Sequence, residues 1–307
     1  MAHPLSGADL ATLARVVSRA GLPSKPLKAT GIAASVLCRQ PFSLAERLIK
    51  EGRLPSATEL APPVFLLGHW RSGTTHLYNI LAKSGEVGYE PPVATGLPWD
   101  IFGIGRMAKP LLDRALPEHR YIDNIPVTPE SPQEDEIAIA NMCELSFYHG
   151  IYFPRAFLPF LKRGLFLVGC SQEEISLCKE RFVYLLRKLS HLQGGRQMMI
   201  KNPVYTGRFA MLMVMFPSSK FVHIHRNPYD VFLSMRNFWR KLLQEFALQD
   251  FGHVDIDETI FSVYDQMMSA FEEDARDAPE TRFIELRYDD LDADPIGTIE
   301  DVYSGLG

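Results

Sequence analysis

A short strand, a glycine-rich turn and a helix, encoded between residues 64 and 83, constrain the fold more than any other part of the sequence. Val64–Leu67 is an apolar run bounded by proline and glycine, which is typical of a buried strand. Residues 68–75 read GHWRSGTT, and residues 76–83 carry apolar side chains at helical spacing. This order places the N–H groups of a helix start at the end of a strand, where they can bind an anion.

The rest of the sequence repeats the alternation of strands and helices. Further strands are predicted at residues 197–200, 220–225 and 282–287, with a shorter candidate at 87–89. Helices are predicted at residues 131–139, 175–192, 207–216 and 228–239. We therefore predict a three-layer α/β fold, in which a mostly parallel sheet is flanked by helices on both faces. Ligands of such sheets bind at the carboxyl ends of the strands.

Residues 1–60 depart from this pattern and are predicted to form a helical segment that packs on an α/β domain of residues 61–307. Apolar and basic side chains are mixed between residues 10 and 54, so this segment either packs as a helix pair or contacts a membrane surface. The start, MAHPLSGADL, does not resemble a secretory signal, and no apolar run reaches the ~18 residues of a membrane-spanning helix. We therefore expect a cytoplasmic protein without a transmembrane segment.

Charge and cysteine content argue against two classes of function. The net charge is −5 at pH 7, whereas proteins that bind nucleic acid are usually basic, so no nucleic-acid partner is expected. An anionic ligand would require a local positive pocket. The four cysteines show no C-x-x-C spacing and no nearby histidine cluster, which predicts neither a metal site nor a disulfide framework.

The turn at residues 68–75 follows the phosphate-loop spacing G-x-x-x-x-G-K-[ST] with one change. Gly68 and Gly73 occupy the glycine positions and Thr75 the hydroxyl position, whereas Thr74 replaces the lysine. The glycines allow the backbone to wrap a phosphate, and the helix start supplies oriented donors. Arg71 adds a charged donor from within the loop.

Two differences separate this loop from one that uses ATP and magnesium. The lysine that reaches the terminal phosphates is absent, and the strand at residues 220–225 is followed by Arg226 instead of a magnesium-binding aspartate. A ligand with a 5′-phosphosulfate carries less charge there than ATP and needs neither the lysine nor the magnesium-binding aspartate. A P-loop kinase or nucleotidase that uses ATP and magnesium is the alternative function for this site.

A second anion site is predicted where the strand at residues 220–225 leads into the next helix. Arg226 lies at the strand end, and Ser234 lies two helical turns later. An arginine fork and a hydroxyl can hold a second phosphate, distinct from the first. Asp230 is better placed to support the turn than to bind an anion.

Five sequence motifs resemble those of sulfotransferases that use 3′-phosphoadenosine 5′-phosphosulfate (PAPS). Residues 71–75, RSGTT, resemble the 5′-phosphosulfate loop of that family, and residues 226–231, RNPYDV, with Ser234 resemble its 3′-phosphate motif. Residues 287–291, RYDDL, are similar to a late motif whose tyrosine contacts the adenine, so Tyr288 inherits that role. SPQEDE at residues 131–136 and KNP at residues 201–203 resemble a bacterial branch.

The resemblance implies a P-loop nucleoside triphosphate hydrolase-like fold and transfer of a sulfuryl group from PAPS to a hydroxyl of a small molecule, sugar or lipid. The residues expected to bind the donor are Arg71, Ser72, Gly73, Thr74, Thr75, His76, Arg226, Ser234 and Tyr288. His76 stands where many members have a tryptophan, and the family's Arg-Lys-Gly motif has no match. A catalytically inactive nucleotide-binding relative is therefore a second alternative.

The general base must differ from that of many members, since Pro203 stands where they have a catalytic histidine. Glu90, which follows the candidate strand at residues 87–89, is the first choice, and Glu134 is the second. Lys201 is expected to stabilise charge on the leaving oxygen. The aromatic residues Trp99, Phe153, Phe157 and Phe160 either line an apolar acceptor pocket or belong to the core.

Overall fold

A four-stranded parallel sheet forms the centre of the computed structural model, which describes residues 3–116, 119 and 125–306. The strands are β1 (Val64–Leu67), β2 (Met199–Lys201), β3 (Lys220–His225) and β4 (Phe283–Arg287), in the order β2-β1-β3-β4. The predicted α/β class, with a parallel sheet flanked by helices, is confirmed.

The helices lie before, between and after these strands. They are α1 (Leu10–Ala20), α2 (Pro26–Lys50), α3 (Thr74–Ala82), α4 (Pro92–Gly96), α5 (Ile104–Met107), α6 (Lys109–Ala115), α7 (Glu136–Met142), α8 (Tyr148–Tyr152), α9 (Phe157–Phe166), α10 (Gln172–Leu192), α11 (Phe209–Met215), α12 (Pro228–Phe246), α13 (Ile256–Ala275), α14 (Tyr288–Ala293) and α15 (Pro295–Leu306). Among these helices, none has the length and apolar composition needed to cross a bilayer.

Both faces of the sheet are buried, which explains the uninterrupted apolar sequence of β1. Side chains alternate along a strand, so Val64 and Leu66 pack with α3, α14 and α15. Phe65 and Leu67 pack on the opposite face with α10, α11 and α13. A strand with this burial reads as continuously apolar instead of alternating.

A third apolar cluster joins the N-terminal residues to helices α8, α9 and α12. Leu5, Val16 and Val36 are each almost completely buried in it. Asp9 caps α1 by accepting a hydrogen bond from the Thr12 N–H at 2.7 Å. The proposed division of the chain near residue 60 stays a prediction.

Three predicted elements differ clearly from the structure, one of which is the helix predicted at residues 228–239, since it continues to Phe246. The candidate strand at residues 87–89 is a single parallel bridge between Gly88 and Met198. The helix predicted from residue 131 begins only at Glu136. Pro132 disfavours helical geometry in the residue before it, and the Gln133 N–H donates to the Glu90 carbonyl at 2.9 Å. Residues 131–135 therefore run as an irregular segment beside Glu90.

Candidate active site

The glycines of the loop are required by its geometry. Gly68 and Gly73 have φ values of +141° and +100°, where residues with a Cβ are strained. A Cβ at position 68 would lie 2.4 Å from the carbonyl oxygen of Ile224, and one at position 73 would lie 2.2 Å from the Tyr288 ring. The loop is therefore in direct contact with the ends of β3 and β4.

One hydrogen bond ties this loop to the segment that follows β2, and another closes the loop on itself. The Gly68 N–H donates to the Thr206 hydroxyl at 2.8 Å, and the Ser72 hydroxyl donates to the His69 carbonyl at 2.8 Å. Ser72 is buried, so its side chain stabilises the loop and does not line a pocket. The N-cap residue of α3 is Gly73, which has no side chain to cap the helix. The first-turn N–H groups of a helix are donors of the kind that bind an anion.

The ends of β1, β3 and β4 surround a pocket of about 140 Å³. Most of the predicted donor-binding residues line it, namely Arg71, Gly73, Thr74, Thr75, His76, Arg226 and Tyr288. The Arg226 guanidinium lies 4.4 Å from the centroid of the Tyr288 ring, within range of a cation–π contact. Ser234 does not line the pocket but accepts a hydrogen bond from Arg71 Nε at 2.8 Å. This bond ties the loop to α12.

Lys201 brings a positive charge to the loop from a different strand. It lies at the end of β2, is 2% exposed, and its Nζ is 3.0 Å from the Thr75 hydroxyl oxygen. Its ammonium group also forms an ion pair with Glu134. A buried ammonium requires such partners. The charge that the loop lacks at position 74 is thus present beside Thr75.

The three consecutive acidic residues 134–136 place their carboxyl groups in different environments. Glu134 points into the site, whereas Asp135 and Glu136 are buried and each accepts a hydrogen bond from the Asn202 amide, at 2.9 and 2.8 Å. Burial raises the pKa of Asp135 to about 7, against the opposing hydrogen bonds from Tyr205 and Asn202. Burial likewise raises the pKa of Glu136 to about 7.

Asn202 is a site residue that the motif comparison did not predict. Its amide holds the acidic turn of residues 134–136 next to the end of β2, and its Oδ1 accepts a hydrogen bond from the Val204 N–H at 3.1 Å. The sequence feature that could have indicated this role is an amide side chain directly after a lysine at a predicted strand end. Such an amide can anchor a neighbouring loop by donating to it.

The structure places Glu90 behind the site. Its side chain is fully buried and does not line the pocket of about 140 Å³. Burial raises the pKa of Glu90 well above its usual range, the nearby Asp135 carboxylate adds to the rise, and the Thr95 hydroxyl opposes it. The assignment of Glu90 as the base stays a prediction.

A larger pocket of about 270 Å³ adjoins the first one. The two pockets share Thr75, Ile125 and Glu134, and Lys201 lines the larger one. Most other lining residues are apolar, among them Pro92, Leu116, Val127, Ile137, Leu242 and Phe246. Two reactants could therefore meet at the shared wall.

The aromatic residues considered for an acceptor pocket do not line it. Trp99, Phe153, Phe157 and Phe160 are at most 4% exposed and pack in the core, so the alternative that they belong to the core is confirmed. Phe246 and Tyr148 supply the aromatic part of the pocket wall instead.

The chain is similar in sequence to known sulfotransferases. The profile of the sulfotransferase family matches residues 62–307. Omega-hydroxy-beta-dihydromenaquinone-9 sulfotransferase Stf3 of Mycobacterium bovis is 31% identical over 261 residues, which cover 83% of this chain and 66% of the relative. The protein of the same name from Mycobacterium tuberculosis matches with the same values.

Two solved structures share the fold. Sulfotransferase STF1 from Mycobacterium tuberculosis superimposes with a TM-score of 0.67 at 18% identity, over 97% of this chain and 81% of that one. Sulfotransferase STF9 from Mycobacterium avium gives a TM-score of 0.69 at 15% identity, over 96% of this chain and 76% of that one. At this identity, the similarity concerns the fold.

Proposed function

Because the chain belongs to the sulfotransferase family, we propose that it transfers a sulfuryl group from PAPS to the hydroxyl group of a lipid. Family membership confirms the predicted family and the prediction of an enzyme. The observation that carries the proposal is the pair of adjoining pockets with Thr75 and Glu134 in their shared wall. One pocket is built for an anion and the other for an apolar molecule.

The smaller pocket suits an adenosine bearing phosphate groups at two positions. The helix start at Thr74 and the Arg71 side chain suit the 5′-phosphosulfate. Arg226, at the end of the neighbouring strand, suits the 3′-phosphate, and Tyr288 is aromatic and can contact the adenine. Ser234 supports this arrangement through its hydrogen bond to Arg71.

The chemistry is an in-line displacement at sulfur. An oxygen–sulfur bond forms to the acceptor hydroxyl, while the bond from sulfur to the 5′-phosphate oxygen breaks and adenosine 3′,5′-diphosphate leaves. We assign the acceptor proton to the Glu134 carboxylate, since Glu134 lines both pockets. Lys201, Arg71 and the loop N–H groups stabilise the charge on the leaving oxygen.

A lipid acceptor is favoured over a sugar by the wall of the larger pocket. That wall is mainly apolar, whereas a sugar would require many hydrogen-bonding partners. The name of the 31%-identical relative describes a hydroxylated dihydromenaquinone as its acceptor. We propose an acceptor of this class, a long apolar molecule that presents one hydroxyl group to Glu134.

Donor choice is tested by ligand-induced stabilisation. Adenosine 3′,5′-diphosphate is expected to raise the melting temperature, since a ligand that binds only the native state stabilises it by mass action. ATP, with or without magnesium, is expected to raise it much less, because ATP has no 3′-phosphate for Arg226 and Arg226 stands where a magnesium-binding aspartate would be required. Equal shifts from the two ligands, or a requirement for magnesium, would contradict the proposal.

The role of Arg226 is tested by comparing two ligands that differ in one phosphate. Arg226→Ala is expected to weaken binding of adenosine 3′,5′-diphosphate by about 1.5–3 kcal/mol, the worth of a charge-assisted contact. Binding of adenosine 5′-monophosphate should change little. Arg287→Ala, at the end of β4 and 63% exposed in its side chain, is the matched control. Equal losses for both ligands would show that Arg226 is not the 3′-phosphate site.

A further inference from the structure

The C-terminal half of helix α2 is inverted relative to an ordinary surface helix, because three of its polar side chains face the protein. Arg39, Ser43 and Glu46 are all buried. Arg39 donates to the Ala8 carbonyl at 2.7 Å and pairs with Asp100, to which Ser43 also donates. Glu46 accepts from the Gly103 N–H at 2.6 Å and pairs with Lys188. The inner face is therefore a paired polar network from Arg39 onward, whereas Ile32 and Val36, nearer its N-terminal end, pack in the apolar core.

The outward face of α2 is mainly apolar, with Thr30 as an exposed polar residue in its N-terminal half. Its large exposed side chains are Leu27, Leu37, Phe42, Leu44, Leu48 and Ile49. At 100° per residue they span an arc of roughly 160°, and at 1.5 Å per residue they extend over roughly 30 Å. Every charged residue of α2 lies outside this arc. An apolar surface of this extent usually contacts another apolar phase.

Positive charges flank this apolar face. Lys25 and Lys28 lie at its N-terminal end, and Arg47 and Arg53 lie at its C-terminal end, whereas Lys50 turns back to the Phe102 ring. The single acidic side chain that is exposed among residues 25–53, Glu51, is paired with Arg187. This charge contrasts with the net charge of −5 of the whole chain.

The charge distribution distinguishes between two apolar partners. A second copy packed antiparallel along α2 would bring Lys28 of one copy beside Arg47 of the other, and a parallel copy would juxtapose identical cations. Both arrangements are repulsive. A partner that is apolar inside and negatively charged at its surface would contact the apolar face and attract the cations beside it. A bilayer that contains anionic lipids has these properties.

We propose that α2 lies in the interface of an anionic lipid bilayer, with its apolar face in the acyl region and its terminal cations among the headgroups. The observation that supports this inference is the exposed apolar face of α2 with exposed cations at its two ends. Helix α2 also contacts the N-terminal turn Pro4–Gly7, since Arg39 donates to the Ser6 carbonyl at 3.2 Å. Pro4 of this turn lines the larger pocket, so the helix and the pocket are connected through it. The proposal deepens, and rests on, the proposed lipid acceptor.

The test is sedimentation of the full chain with vesicles, without donor or acceptor. Binding is expected to vesicles of equal parts phosphatidylcholine and phosphatidylglycerol, and to weaken as salt is raised. Leu48→Asp should weaken it at least about ten-fold, because a large apolar side chain no longer enters the acyl region. Val214→Asp, at an equally exposed apolar position on α11, should leave it unchanged.

A second readout uses Cys38, which is exposed on the same face. In a Cys170→Ser background, an environment-sensitive fluorophore on Cys38 should brighten and shift to the blue on vesicle addition. Absence of binding to both anionic and neutral vesicles would overturn the proposal. A dimer in solution that Leu48→Asp dissociates would assign the face to a second copy instead. The vesicle experiment does not measure sulfuryl transfer, so a lack of membrane binding would not contradict the proposed enzymatic activity.

Discussion

Glu134→Gln is expected to lower kcat by roughly 10²–10⁴-fold, the usual contribution of a general base. The amide retains the size of the carboxylate but cannot take the acceptor's proton. Binding of adenosine 3′,5′-diphosphate, followed by thermal shift, should persist and show that the variant is folded. Glu134 is selected because it lines both pockets, whereas Glu90 lines neither.

Glu90→Gln is the matched control for this prediction. Burial favours the protonated form of Glu90 by raising its pKa, and an amide resembles a protonated carboxyl group. Glu90→Gln is therefore expected to keep most of the activity. An inactive but folded Glu90→Gln enzyme beside an active Glu134→Gln enzyme would return the role of base to Glu90. If both variants stay active, His76, which lines the smaller pocket, is the next residue to change.

Lys201→Met is expected to lower kcat by roughly 10²–10³-fold, as loss of one preorganised donor to a developing anion does. Methionine fills most of the same volume but leaves Thr75 and Glu134 without the ammonium group. Steady-state kinetics with both substrates varied would separate kcat from KM. Lys220→Met, at the opposite end of the sheet at the start of β3, is the matched control. An unchanged kcat would exclude Lys201 from charge stabilisation.

The local parts of the site could be predicted from the sequence. Strand β1, its loop and α3 are contiguous, and glycine spacing alone indicates the backbone conformation at Gly68 and Gly73. Arg226 and Tyr288 each follow a strand directly, so the parallel sheet predicts that they lie at the same edge. These signals need no knowledge of the order of the strands.

Contacts between distant segments could not be predicted in this way. Lys201 reaches Thr75 only because β2 pairs directly with β1, although the two residues are 126 positions apart. The choice between Glu90 and Glu134 depends on the irregular segment at residues 131–135, whose path is fixed by tertiary hydrogen bonds. Periodicity likewise shows that α2 is amphipathic but does not tell which of its faces meets the core.

Transfer of labelled sulfur to a lipid tests the central claim most directly. The chain would be incubated with PAPS labelled in its sulfuryl group and with a dihydromenaquinone that carries a terminal hydroxyl group, and the lipid fraction would be analysed for label. The account predicts a sulfated lipid and an equal amount of adenosine 3′,5′-diphosphate, and no labelled product from the same quinone without the hydroxyl. Protein that binds adenosine 3′,5′-diphosphate yet leaves the hydroxylated lipid unlabelled would contradict it.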